Sequence, residues 1–147
     1  GFSAAAALLL WLRMPVERIA VESEHPAPLE LAARPYSADE LSALGIEPGA
    51  SEVRVVGTLV SGSLTRLPPL PPHQRIRCGY HFHLREPGMA TGDGLHVEYV
   101  RCRAPEGLID DGSTCVEVSA VGVLRSDGHL DATRITPKLV TPCPQPH

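Results

Sequence analysis

Aromatic residues are scarce in this chain: one Trp, three Tyr and two Phe among 147 residues. Surfaces that stack single-stranded nucleic acid need aromatics interleaved with Lys and Arg, and beyond the N-terminal segment only Tyr36, Tyr80, Phe82 and Tyr99 remain. A basic surplus is missing as well. With 13 Lys and Arg against 17 Asp and Glu the formal net charge is -4, which disfavours a polyanionic partner such as nucleic acid. The four cysteines contain no Cys-x-x-Cys spacing, so neither a zinc ribbon nor a thioredoxin-like redox pair is expected. No internal repeat is present. Hydrolytic chemistry finds no placed set of groups: Ser61 and Ser63 sit on a glycine turn without a His and acid partner, and Asp110-Asp111 reads as a solvated turn. An enzyme is not expected.

No long hydrophobic run occurs either. Phe2 to Leu12 is small and apolar but only eleven residues long, a helix of about 16 Å against a hydrocarbon core of roughly 30 Å. As the trimmed end of a membrane anchor or a cleaved targeting peptide it makes sense, with Trp11 and Arg13 at the interface. An ordinary buried terminal helix is the alternative. The domain reading is then an apolar anchor remnant over 1–14, a linker over 15–35, a barrel domain over 36–140 and a proline-rich tail over 141–147. Of fifteen prolines, all but Pro87 and Pro105 crowd the stretches Pro15 to Pro48, Pro68 to Pro72 and Pro137 to Pro146, where they break helices and strands alike.

What the chain does have is β-branched alternation. Five short runs, Glu52 to Val60, Arg75 to Leu84, Leu95 to Arg101, Thr114 to Leu124 and His129 to Thr136, are separated by Gly, Pro, Asp and Ser clusters. Ser37-Ala38-Asp39-Glu40 is a capping box that predicts a two-turn helix over Ala38 to Leu44, stopped by Gly45. Asp127-Gly128 marks a tight hairpin between the last two runs. Ala104 to Asp110, after the third run, suits one helical turn plugging a barrel end. The fold class is all-β: a five-stranded OB-fold barrel with a short N-terminal helix and the anchor remnant before it.

Alternation also predicts the register of the second and third runs. If Tyr80, Phe82 and Leu84 share a face with Leu95, Val97 and Tyr99, then Tyr80 lies opposite Tyr99 and Phe82 opposite Val97. His83 then faces His96 and His81 faces Glu98 on the outer side. Two imidazoles across a non-hydrogen-bonded pair come close enough to bind one divalent cation, so His81, His83 and His96 are candidate metal ligands with Glu98 beside them. The alternative is a plain polar outer face. His25, His73 and His129 fall in loops or at strand ends and receive no role.

The even cysteine count, in an oxidising compartment, suggests disulfides with three possible connectivities. Cys78 and Cys102 are equidistant from the loop centre at Ala90, which makes them candidates for a bridge. The register set by the apolar positions points them to opposite faces, so the bridge requires an irregularity near the strand ends.

Several segments, taken in order, resemble the periplasmic haem chaperones of cytochrome c maturation, the CcmE family. Ser37 to Leu41 is similar to the family's lead-in helix, and Val53 to Leu64 to its first strand and Gly-Ser turn. Cys78-Gly79-Tyr80-His81-Phe82, Val97-Glu98-Tyr99, Ala104-Pro105-Glu106-Gly107-Leu108 and Asp127 to Thr133 resemble the later strands and turns. The resemblance implies an N-terminal membrane anchor and haem held at the barrel surface. It also implies covalent attachment through a His or Cys in a His/Cys-x-x-x-Tyr motif after the last strand. This chain departs at that motif: Leu139 fills the attachment position and Cys143 the tyrosine position. Shifted by four residues, Cys143-Pro144-Gln145-Pro146-His147 imitates the motif, so Cys143 and His147 are candidate haem-binding residues; a disordered tail is the alternative.

Two functions follow as expectations. The first is a membrane-anchored haem chaperone on the extracytoplasmic side, in the periplasm or an organellar intermembrane space, with haem as cargo and haem-transfer proteins as partners. The second is a degenerate OB domain without haem, acting as an accessory or interaction subunit of a membrane complex.

Overall fold

A computed structural model describes residues 27–71, 77–89, 92, 94–140 and 143. Among these residues seven strands and one helix follow in chain order: β1 (Leu29–Ala32), α1 (Ala38–Ala43), β2 (Glu52–Leu59), β3 (Thr65–Arg66), β4 (Tyr80–Arg85), β5 (Leu95–Tyr99), β6 (Cys115–Leu124) and β7 (Leu130–Val140). Five of them close on themselves. β2 pairs antiparallel with β4 and β6, β4 antiparallel with β5, β6 antiparallel with β7, and β5 runs parallel to β7. That circuit of antiparallel pairs with one parallel contact is the closed OB-fold barrel expected from the sequence.

The barrel closes because each strand alternates. β2 buries Val53, Val55, Gly57 and Leu59 and turns the intervening residues outward, and β6 repeats the pattern from Val116 to Ala120. Phe82, Leu84, Val97, Val118, Leu124 and Leu130 are fully buried at the centre, and among the described residues no charged side chain joins them. Each such side chain contributes roughly 1.5–3 kcal/mol by leaving water.

The helix forms where the capping box lies. Ser37 Oγ accepts from the Glu40 amide at 3.1 Å and the Glu40 carboxylate accepts from the Ser37 amide at 3.1 Å. At its other end Gly45, with φ of +74°, donates to the Ser42 carbonyl while Ile46 donates to that of Leu41, and both Leu41 and Ile46 pack into the core. The apolar ends anchor a helix too short to stand alone.

Four differences from expectation have physical causes. The linker read over 15–35 contains β1, which runs parallel to β2 from Leu29↔Val53 to Ala32↔Val56 and covers the edge of β2 that β4 leaves open. The last strand continues past Thr136 to Val140, through Pro137. Proline is accommodated because β5 accompanies β7 only as far as Ala132, so beyond it, among the described residues, no strand pairs with that side of β7. Ala104 to Asp110 is a turn rather than helix, with Leu108 donating to the Pro105 carbonyl and its buried side chain closing the barrel end. Asp110 is no solvated turn residue: its carboxylate accepts from the amides of Gly62 (2.8 Å) and Leu64 (3.0 Å), tying that plug to the turn after β2.

One irregularity steers β7. Between Val121 and Gly122 the register with β6 shifts by one residue, leaving Thr133 as the extra residue, and a Cβ on Gly122 would sit 2.1 Å from the Asp131 carbonyl oxygen. Only glycine admits that approach of backbones, and the bulge turns Leu130–Ala132 toward β5.

Candidate functional site

The β4–β5 pairing has the register that alternation predicts: Tyr80↔Tyr99, His81↔Glu98, Phe82↔Val97, His83↔His96 and Leu84↔Leu95. Tyr80, Phe82 and Leu84 therefore point one way and the histidines the other. His83 spends its backbone groups away from β5, its carbonyl accepting from Val60 at 2.9 Å and its amide donating to Ser63 Oγ at 3.0 Å. His83 and His96 are thus a non-hydrogen-bonded pair, the cross-strand position where side chains come closest. Ser63, whose hydroxyl also donates to the Val60 carbonyl, is fully engaged in holding this turn.

Four imidazoles gather on this face. The ring of His96 lies 5.0 Å from His83, 5.3 Å from His81 and 6.1 Å from His129 between centroids. His129 went unnoticed in the sequence, where it is an isolated residue before the last strand. The parallel β5–β7 contact, which sets Val97 against Leu130, carries His129 alongside His96; an OB-fold assignment extended to that one pairing would have found it.

The four rings have different partners. His81 Nε2 lies 2.5 Å from Thr65 Oγ1 on β3. His129 Nε2 is 2.9 Å from Glu98 and its Nδ1 contacts the Asp127 carboxylate, so both ring nitrogens are engaged. The His129 amide and ring hold the Asp127 carboxyl below its usual range. His96 is different: its Nε2 is buried and has no hydrogen-bond partner. Burial pushes the His96 imidazole below the ordinary His range, the charges of His83 and His81 add to that, and Glu98 opposes it. His96 is accordingly held as the neutral ring, with a nitrogen lone pair or N–H unspent.

Beside His96 and His129 lies an open cleft of about 170 Å³, bordered by Tyr36, Leu95 and the Asp127-Gly128 turn. The imidazole face and this cleft occupy the second and third strands of the barrel circuit and the hairpin between its fourth and fifth, the surface on which OB-folds hold ligands. Among the described residues, no three or more His, Cys, Asp or Glu side chains are disposed as they stand to hold one metal ion. His81, His83 and His96 are brought together, but not as a finished three-ligand site.

The cysteines form two bridges, Cys78–Cys102 and Cys115–Cys143. The first is the expected pair, and the irregularity it needs is present: the ladder ends at Tyr80↔Tyr99, and a three-residue turn in which Arg101 donates to the Tyr99 carbonyl takes up the odd residue. The second engages the sulfur proposed for haem binding. Cys143 in this state has no thiol to offer, which is a correction to its reading as a free ligand. Its partner in that reading, His147, lies outside the described residues. Leu139, on β7, is paired with Val116 of β6 and is 56% exposed. Among the described residues no helix is long and apolar enough to cross a membrane, and the apolar segment 1–14 lies outside them.

Compared with known proteins, the chain matches no family model and no curated protein.

Proposed function

We propose that this protein is a haem-handling module of cytochrome c maturation, tethered on the extracytoplasmic side of a membrane, which holds its cargo reversibly on the imidazole face with His96 as the iron ligand. The observation that carries this reading is the unpartnered Nε2 of His96 at the centre of four imidazoles on the ligand surface of an OB barrel. A neutral imidazole is the commonest metal ligand among side chains and one of those that hold haem iron, and burial favours the neutral form here. The two disulfides suit an oxidising compartment, and the ordered resemblance of Tyr36 to Val140 to the haem chaperones supports the cargo.

The residues fit ligation better than covalent attachment. Leucine at position 139 has no group that adds to a vinyl carbon, and Cys143 shares its sulfur with Cys115. Haem is therefore expected to be exchangeable. Hemin titration followed in the Soret band, then pyridine haemochrome assay after acid–acetone extraction, tests this: the haem should bind and be fully extracted, and His96→Ala should abolish the spectral change. Haem that resists extraction, or binding that ignores His96, contradicts it. Leu139 favours a second reading, an accessory interaction domain without haem, for which hemin gives no saturable spectral change.

A further inference from the structure

Of the four imidazoles, two are spoken for. His81 is engaged by Thr65 and His129 is held between Glu98 and Asp127. His83 makes no ring hydrogen bond among the described residues, and His96 has its Nε2 unpartnered. These two face each other across a non-hydrogen-bonded pair with ring centroids 5.0 Å apart.

We infer that His83 and His96 form a cross-strand clamp for one divalent transition-metal ion of the zinc, nickel or copper type, with water or an exogenous ligand completing its coordination. Donor chemistry selects the class. Imidazole suits zinc, nickel and copper, whereas calcium and magnesium demand sets of oxygen ligands that this pair lacks. Geometry supplies the rest: a metal–nitrogen bond is about 2.0–2.1 Å, so one ion between two rings sets their centroids roughly 5 Å apart, close to the spacing already present. The clamp requires rotation about the side-chain torsions to aim both lone pairs at one point, on a strand backbone that the barrel holds in register. The face is half-buried and the neighbouring cleft of about 170 Å³ leaves room for the remaining ligands. Glu98 and Asp127, close by, favour a cation.

The clamp uses the face assigned to haem but does not depend on that assignment, because it needs two imidazoles where haem iron needs one. The test is calorimetric titration of zinc into tag-free, chelator-treated protein with its disulfides intact. Wild-type protein should take up one ion per chain, and His83→Ala and His96→Ala should each weaken uptake by at least about tenfold, with His83→Gln and His96→Gln as better-packed controls that lose it equally. His81→Ala should keep one-to-one uptake. Saturable binding that survives loss of both His83 and His96, or no saturable binding at all, overturns the clamp. Hemin titration of His83→Ala separates the two readings: zinc uptake should collapse while the Soret change persists, and zinc affinity unaffected in that variant overturns the clamp whatever hemin does.

Discussion

Among the described residues, the outer face of β4–β5 and the far end of β7 both carry groups of the kind that hold a metal-containing ligand, and the two regions use them in opposite ways. On β4–β5 the strands are locked by their backbones and by the apolar side chains beneath, which leaves imidazoles such as His96 with unspent nitrogen. At the end of β7 the cysteine is consumed in fastening the chain, Cys143 to Cys115, and the outward residue is an exposed leucine. A reactive side chain serves as a ligand only where something else holds the backbone. The first region meets that condition and the second does not.

The strongest way to break the contrast is to remove the support under the histidine face. Phe82 is fully buried directly between His81 and His83, and Phe82→Ala should cost about 3–5 kcal/mol in a urea melt and weaken hemin binding with it. A fall below about 1 kcal/mol would mean the hairpin is not what fixes the face. Next in size is the tail. The Cys115–Cys143 bridge closes a separation of 28 residues, and loop-closure entropy assigns it roughly 3–4 kcal/mol. The double variant Cys115→Ser, Cys143→Ser should lose about that much stability under oxidising conditions, yet keep hemin affinity once folded. Lost hemin binding in a folded double variant would move the site to the tail.

The smallest effect sharpens the contrast through pH. His96 takes up a proton less readily in the folded barrel than its ordinary value of 6.5, so the unfolded chain binds more protons in the window below that value. Stability is then undiminished above about pH 6.5 and declines as pH falls through it. The other titratable groups around the ring, His81, His83, His129, Glu98 and Asp127, remain in a His96→Gln variant, so the difference between the two melting curves from pH 8 to 5 isolates His96. A shallower decline in the variant is expected; parallel curves would show that burial does not hold the ring neutral.

The sequence was legible where structure is written locally or by period two. The capping box of Ser37 and Glu40 specifies its helix within four residues, and the alternation of Tyr80 to Leu84 against Leu95 to Tyr99 admits one register, since a slip of one residue would put His83 and His96 in the core. What escaped reading depends on partners far along the chain. Leu29 to Ala32 has only weak strand character, and is a strand because β2 offers an open edge. Pro137 reads as a stop, and becomes tolerable only at a sheet edge. Asp110 finds the Gly62 and Leu64 amides nearly fifty positions back. His129 joins the site through a parallel contact and a bulge at Gly122, neither of which leaves a periodic trace. The pairing of Cys115 with Cys143 leaves no signal of its own in the spacing, unlike Cys78 with Cys102, and shows only once β6 and β7 lie side by side.

The central claim is that ligand chemistry belongs to the β4–β5 face and not to the tail. The most direct measurement is hemin affinity, read in the Soret band, of His96→Ala beside that of Cys143→Ala, both with circular dichroism matching the parent. The account predicts that binding is lost in His96→Ala and preserved in Cys143→Ala; binding preserved in His96→Ala and lost in Cys143→Ala would contradict it.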